Sequence, residues 1–477
     1  MGRAKGLPFL FYFVLILLVA LQYDNFHTGT SSQALDSVIY FKSTLKDVMQ
    51  HYGIGDPGSF ALGGLTLFHN KWFDANTVWL INLWPPGFMF LEACILKIFG
   101  EHAPIIIILQ VLASLCLATT LGFFNSLLTF FTRKPIALLI PLMLLIPEQS
   151  RLYLVTPDSV LRGETFAISF ALAGLFCLYL AYANNNKKTA IMAGIFFGLS
   201  AWFRSQFEMF FMVATLNVLL TGIIYLSYKK INNQPASFIL SKNIFKTLTP
   251  FSTILIAIVM FHATTLPYRI YGYTRTHNLL WVQTSNLMML NNFVTSEVMD
   301  KNGASFLRAG GANTPCVIAP KECAEVSKQI AQGLPPFELR NKVIHILLQH
   351  PEAYISMKLK LLPEFWFSSP DTGFMTTKNL SDFIFIICFL WSIIWILTSL
   401  RSPLALISYW LSSSIVLAYG LIFIFAHYET RYFIFFKIYF LVMAILGIIQ
   451  LISQSAFPSL SIYFKKGEKN DSSYGRG

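Results

Sequence analysis

Leu7 to Tyr23 reads LPFLFYFVLILLVALQY, an uncharged apolar run preceded by Arg3 and Lys5. A run of this length and composition reads as a membrane-spanning helix, and no Ala-x-Ala-like site follows it, so a retained anchor is expected rather than a cleaved leader. Arg3 and Lys5 place the N-terminus in the cytoplasm by the positive-inside rule. The next long apolar run begins only at 104, so about eighty residues, 24–103, are expected on the opposite face.

The remainder of the chain repeats this pattern. Of 477 residues 55% are hydrophobic and 12% charged, with mean hydropathy +0.58, which is more apolar surface than one soluble core can bury. Further apolar runs lie at 104–124, 135–147, 165–183, 189–203, 207–228, 249–266, 381–400, 403–426 and 433–452, giving about ten spans with the first. Runs 135–147 and 189–203 are short for a span and imply tilt or shelter behind neighbours. The expected fold class is an all-α polytopic membrane protein.

The net charge of +12 would suggest nucleic acid in a soluble chain, but here the basic residues sit at alternate span ends. Arg3/Lys5, Arg133/Lys134, Lys187/Lys188, Lys229/Lys230 with Lys242/Lys246, Arg401 and Lys465/Lys466/Lys469 mark one face as cytoplasmic. The other face receives 24–103, 148–164, 204–206, 267–380 and 427–432. The domain reading is therefore a transmembrane domain over 1–455, with outer regions 24–103 and 267–380, and a basic cytoplasmic tail at 456–477. Within the first outer loop, 33–50 and 86–99 have the mixed spacing of helices lying at the interface.

Asp56-Pro57-Gly58-Ser59 in that loop reads as a turn holding one carboxylate near the membrane surface, because Pro57 fixes its own φ and restrains Asp56 while Gly58 permits a bend. Glu164 opens a span, where a carboxylate suits the helix N-terminus, and Asp158 reads as a turn or cap residue. Arg204, Arg269 and Arg431 lie at outer span ends, where a planar guanidinium fork suits phosphate oxygens or lipid headgroups. Lys358, on the amphipathic stretch 353–362, is a further cation, and Glu429 is placed to pair with Arg431. His262 and His427 fall in no ligand spacing, and neither a Walker-type phosphate loop nor a zinc-protease helix is present.

Cys94, Cys116, Cys177 and Cys388 lie in apolar stretches and read as small buried hydrophobes. Cys316 and Cys323 share a polar outer loop; they close a disulfide or stay as two thiols according to the compartment.

Asp56-Pro57-Gly58-Ser59-Phe60-Ala61-Leu62-Gly63-Gly64, Trp84-Pro85-Pro86-Gly87-Phe88, Phe99-Gly100 and Leu109-Gln110 together resemble the first outer loop and second span of the GT-C superfamily of membrane glycosyltransferases. The likeness is to the bacterial branch of aminoarabinose transferases and protein O-mannosyltransferases. It continues through Pro157-Asp158, Arg162-Gly163-Glu164, the glycine-containing run ending at Arg204, Leu266-Pro267-Tyr268-Arg269, His350-Pro351-Glu352 and Glu429-Thr430-Arg431-Tyr432, covering about residues 7–452. Each motif alone is weak; their order and common face carry the resemblance.

The resemblance implies GT-C-like interfacial helices, a polyprenyl-phosphate sugar donor and a glycan, lipid or protein acceptor at the outer face of a bacterial inner membrane. It assigns Asp56 and Glu164 to catalysis and Arg204, Arg269, Arg431, Glu429 and Lys358 to substrate. No organic cofactor is implied. A divalent metal is compatible with a phosphate donor, although Asp56 is followed by Pro57-Gly58 where many relatives carry a second acidic residue. The alternative function is a non-catalytic flippase or handler of lipid-linked glycans, which would not depend specifically on Asp56. A secondary transporter ranks third, because the charges here gather at span ends rather than mid-span.

Overall fold

The computed structural model describes residues 7–23, 42–53, 56–71, 84–232, 251–276, 321, 345, 348–360, 362–367, 377–399, 403–425 and 430–456. These are all-helical, with no strand among the described residues. In chain order the elements are α1 (Leu7–Tyr23), α2 (Leu45–Tyr52), α3 (Asp56–Phe68), α4 (Gly87–Phe99), α5 (Ile105–Leu128), α6 (Lys134–Leu139) and a 3-10 turn (Ile140–Leu145). They continue with α7 (Glu148–Leu154), α8 (Pro157–Leu161), α9 (Glu164–Asn184), α10 (Lys187–Phe203), α11 (Ser205–Asn232) and α12 (Phe251–Thr276). The last are α13 (Pro351–Lys360), α14 (Leu362–Trp366), α15 (Thr377–Thr398), α16 (Pro403–Phe425) and α17 (Thr430–Ala456).

Among the described residues five helices are long and apolar enough to cross a membrane, within α5, α9, α12, α15 and α17, and a sixth crossing results if the bent pair at 134–154 counts as one. Every apolar run read from the sequence is helical, but the run at 135–147 is not a straight span. Pro147 takes an extended conformation and breaks the helix, so that Lys134–Leu145 and Glu148–Leu154 meet at 88°. The short α7 is buried, and its first two backbone N–H groups donate across the bundle to Ser381 Oγ and Asp382 Oδ1, each at 3.1 Å. Those acceptors cap in trans a helix start that its own sequence leaves uncapped.

The core forms around α17, whose 433–446 stretch is buried on all sides. It packs against α15 and α16, with Trp395 lying on Gly447. On the other side α9, α10 and α12 form a tight layer. A Cβ at Gly194 would stand 2.3 Å from the Ala257 carbonyl oxygen, so this glycine allows the α10 and α12 backbones to approach.

Three further expectations are corrected. Asp56-Pro57-Gly58-Ser59 is not a turn but the first turn of α3, because a proline at the second helical position has the helical φ and lacks only an N–H that would be unpaired there anyway. The α12 helix continues past Pro267 to Thr276, ten residues beyond the apolar run read at 249–266, with the proline inside the helix. Cys94 is exposed on α4, whereas Cys177 and Cys388 are buried and Cys116 is half-buried. Of the two interfacial helices expected in the first loop, α4 matches 86–99 closely. Only 42–50 of the stretch 33–50 is described, and the helix there starts at Leu45 behind a Thr44 cap. Cys316, Cys323, His427 and the tail after Ala456 lie outside the described residues.

Candidate active site

Four chain segments far apart in sequence converge on one charged cluster. Asp56 is the first residue of α3, and Glu164 is the first residue of α9. Gly163 precedes Glu164 with φ +73°, a left-handed conformation that a residue with a side chain adopts only with strain, and it turns the chain out of α8 into α9. Arg204 breaks the path from α10 to α11 with extended backbone angles, its N–H held by Ser200 O at 3.0 Å. Arg431 is the second residue of α17. All four lie in segments that the charge pattern assigned to a single face.

Arg431 Nη1 donates to Asp56 Oδ2 at 2.5 Å, and Arg204 Nη1 lies 3.6 Å from the same oxygen. Arg204 Nη2 stands 2.8 Å from Glu164 Oε1 and also donates to the Arg162 carbonyl at 2.6 Å. Arg431 Nε is 3.9 Å from Glu164 Oε1. Each guanidinium thus touches both carboxylates. The Glu164 side chain is 0% exposed, Arg204 5%, Arg431 10% and Asp56 15%. At the margin Arg162 Nε pairs with Asp158 Oδ2 at 2.9 Å, which makes Asp158 an exposed partner, while Thr156 supplies the cap of α8.

An aromatic wall underlies the charges. Arg204 lies over Phe60 at 5.5 Å, and Phe60 meets Trp84 and Phe88 edge-on at 5.7 and 5.4 Å. Phe88 continues the wall to Phe166 and Phe203. The Pro-Pro-Gly run delivers these rings: α4 starts at Gly87 directly against the Trp202 backbone, where a Cβ would stand 2.6 Å from its carbonyl oxygen. The charges therefore face an apolar, low-dielectric floor, in which each electrostatic interaction is stronger than in water.

Burying four charges is costly, and a buried ion network adds little net stability over apolar packing. Arg431 also stands at a helix N-terminus, the end that repels a cation. Packing thus supplies no reason for this cluster. Guanidinium forks beside carboxylates, with Asp56 and Arg431 slightly exposed, can bind an anion and move a proton.

Of the other expected site residues, Arg269 does not join it. Arg269 is one helical layer away, with Nε donating to Glu208 Oε1 at 2.8 Å and Nη1 3.0 Å from His262 Nδ1, while His262 Nε2 reaches Thr215 Oγ1 at 3.2 Å. Its guanidinium is taken up in a clamp between α11 and α12. Glu429 and the Lys358 side chain lie outside the described residues. No group of three His, Cys, Asp or Glu side chains that could hold a metal ion occurs among the described residues.

Sequence reading missed Glu208, although it lies four residues after Arg204 and so on the same face of the chain's path into α11. It also missed Glu92 of α4, which is wholly buried beside Gly64 with no hydrogen-bond partner among the described residues. Burial holds the Glu92 carboxyl well above the usual range. Lys437, inside α17, donates to Gln149 Oε1 next to Asp382. An acidic residue within a mostly apolar run was the available signal for Glu92, and a lysine inside the last span was the signal for Lys437.

Searches against protein-family models, curated proteins and solved structures return no match to this chain.

Proposed function

We propose that the chain is a membrane glycosyltransferase that moves a sugar from a polyprenyl-phosphate donor to a hydroxyl acceptor. It would have about ten crossings and GT-C-like architecture. Its active site would lie on the outer face of a bacterial inner membrane, with both termini cytoplasmic. The observation that carries this reading is the convergence of Asp56, Glu164, Arg204 and Arg431 at one end of the bundle, with two guanidiniums and two carboxylates in mutual contact. Such a transfer needs cations for the departing phosphate and a carboxylate for the incoming proton.

In the step, the acceptor oxygen bonds to the sugar C1 as the bond from C1 to the phosphate oxygen breaks. The acceptor proton passes to Asp56, and the bonding pair leaves with polyprenyl phosphate, whose charge Arg204 and Arg431 stabilise. Glu164, fully buried between the arginines, holds them in place and is read here as a positioning residue more than as a reacting one. The acceptor is a glycan, a lipid or a protein hydroxyl.

The test is sugar transfer from a panel of synthetic polyprenyl-phosphate donors to a membrane extract by the purified protein in nanodiscs. Transfer by wild type and its loss in a folded Asp56→Asn support the assignment. Equal transfer by both removes Asp56 from the chemistry. Binding of the lipid phosphates with no transfer from any donor would favour a non-catalytic handler of lipid-linked glycans.

A further inference from the structure

We infer that Asp56 is the resident anion of the phosphate site, and that a lipid-linked phosphate binds by taking its place on Arg431 and Arg204. Resting on the glycosyltransferase reading, the inference adds an order: the donor's phosphate must arrive before Asp56 can accept a proton.

Charge is the first argument. Asp56, Glu164 and Asp158 are matched by Arg204, Arg431 and Arg162, so the six described charges cancel. Among the described residues this largely buried cluster has no cation in excess, so an added anion competes with the carboxylates already there.

The carboxylates are held unequally. Glu164 is fully enclosed at the head of the long helix α9, whereas Asp56 is the most exposed of the four inner groups and sits on the short outer helix α3. Each carboxylate has one near arginine, Glu164 with Arg204 at 2.8 Å and Asp56 with Arg431 at 2.5 Å, so the difference between them lies in enclosure. Glu164 is therefore the fixed anchor and Asp56 the exchangeable ligand.

The arginines have capacity for an incoming anion. Arg204 Nε is buried without an acceptor among the described residues, a donor left open in a site where burial makes an unmet hydrogen bond costly. A phosphate oxygen in the Asp56 position would meet both guanidiniums, and the other oxygens of the group offer an acceptor for that Nε. As the carboxylate leaves Arg431, Asp56 Oδ2 is released from the two cations that hold it. It then becomes available to the acceptor hydroxyl beside the bound phosphate.

The experiment measures binding, not turnover. A short-chain polyprenyl monophosphate is titrated into nanodiscs carrying wild type, Asp56→Asn, Asp56→Ser or Arg431→Gln, with the uncharged polyprenol as control and thermal melting as the check on folding. Removing the competing carboxylate is expected to tighten phosphate binding by about tenfold or more in either Asp56 variant, while Arg431→Gln weakens it and polyprenol binding is unmoved. Unchanged or weaker phosphate binding in folded Asp56 variants, with wild type still binding the phosphate in preference to polyprenol, overturns the exchange and leaves the donor assignment intact. Equal binding of phosphate and polyprenol by every variant overturns both.

Discussion

Two buried arginine–carboxylate clusters lie within one helical layer of each other, and they are built differently. Arg269 and Glu208 come from α12 and α11, which meet through side chains between 208–215 and 261–269, and the guanidinium is shared among Glu208, His262 and the Phe261 ring. The outer cluster draws Asp56, Glu164, Arg204 and Arg431 from four segments up to 375 residues apart, keeps one carboxylate partly open and leaves Arg204 Nε without an acceptor among the described residues. The first has the form of a clamp between two helices. The second has the form of a site, because its partners can be exchanged without separating a pair of helices.

The largest expected effect separates the two by stability. Glu208→Gln leaves Arg269 buried and uncompensated, and should cost about 3–5 kcal/mol of stability. The double replacement Glu208→Leu with Arg269→Met should recover most of that loss, measured by thermal melting in nanodiscs. A single variant as stable as wild type would show that the clamp does not hold α11 to α12.

Gly194→Leu tests the layer that carries the clamp. The added side chain meets the Ala257 carbonyl and Met260, so α10 and α12 must part, at about 1–3 kcal/mol. Unchanged stability would place their contact elsewhere.

Glu92 sharpens the contrast as a buried carboxyl without a cation. Its folded value is raised, so the folded state holds the proton more tightly than the unfolded chain does. Stability therefore falls as pH rises above the unfolded glutamate value towards the folded one. Glu92→Gln should be more stable than wild type, by on the order of 1–2 kcal/mol at pH 8 and by less at pH 5. A gain independent of pH would mean that the carboxyl finds a partner.

The smallest effect is expected at Asp47, which accepts from the Thr44 N–H at 2.8 Å in the capping box of α2 and is held below the usual carboxylate range chiefly by that bond. Here the folded value is depressed, so the contribution is present above the unfolded value and is lost as pH falls through the folded one. Asp47→Asn should cost about 0.5 kcal/mol at pH 7 and nothing once both states are protonated, read from the pH dependence of melting.

The apolar helices were legible because hydrophobic length is a property of the chain itself, and the alternation of basic ends is read from the same chain. The same alternation put Asp56, Glu164, Arg204 and Arg431 on one face before any contact was known. Their convergence was not legible, since it depends on which helix ends become neighbours. Arg269 shows the limit: its position after a span looked the same as that of Arg204, and only Glu208, four residues beyond Arg204, decided its partner. The turn assigned to Asp56 failed because Pro57 permits both a turn and a helix start, and the apolar run after it favoured the helix. The bend in the run at 135–147 was not legible because Pro147 ends a helix without showing whether the chain leaves the bundle. Trans capping by Ser381 and Asp382 keeps it inside.

The most direct measurement compares the two clusters in one assay. Sugar transfer from a polyprenyl-phosphate donor is followed for wild type, Asp56→Asn and the double variant Glu208→Leu with Arg269→Met, each verified as folded. The expected result is a loss of about a hundredfold or more for Asp56→Asn and near wild-type transfer for the double variant. Equal transfer by Asp56→Asn and wild type, or loss confined to the double variant, would contradict the assignment of the outer cluster as the active site.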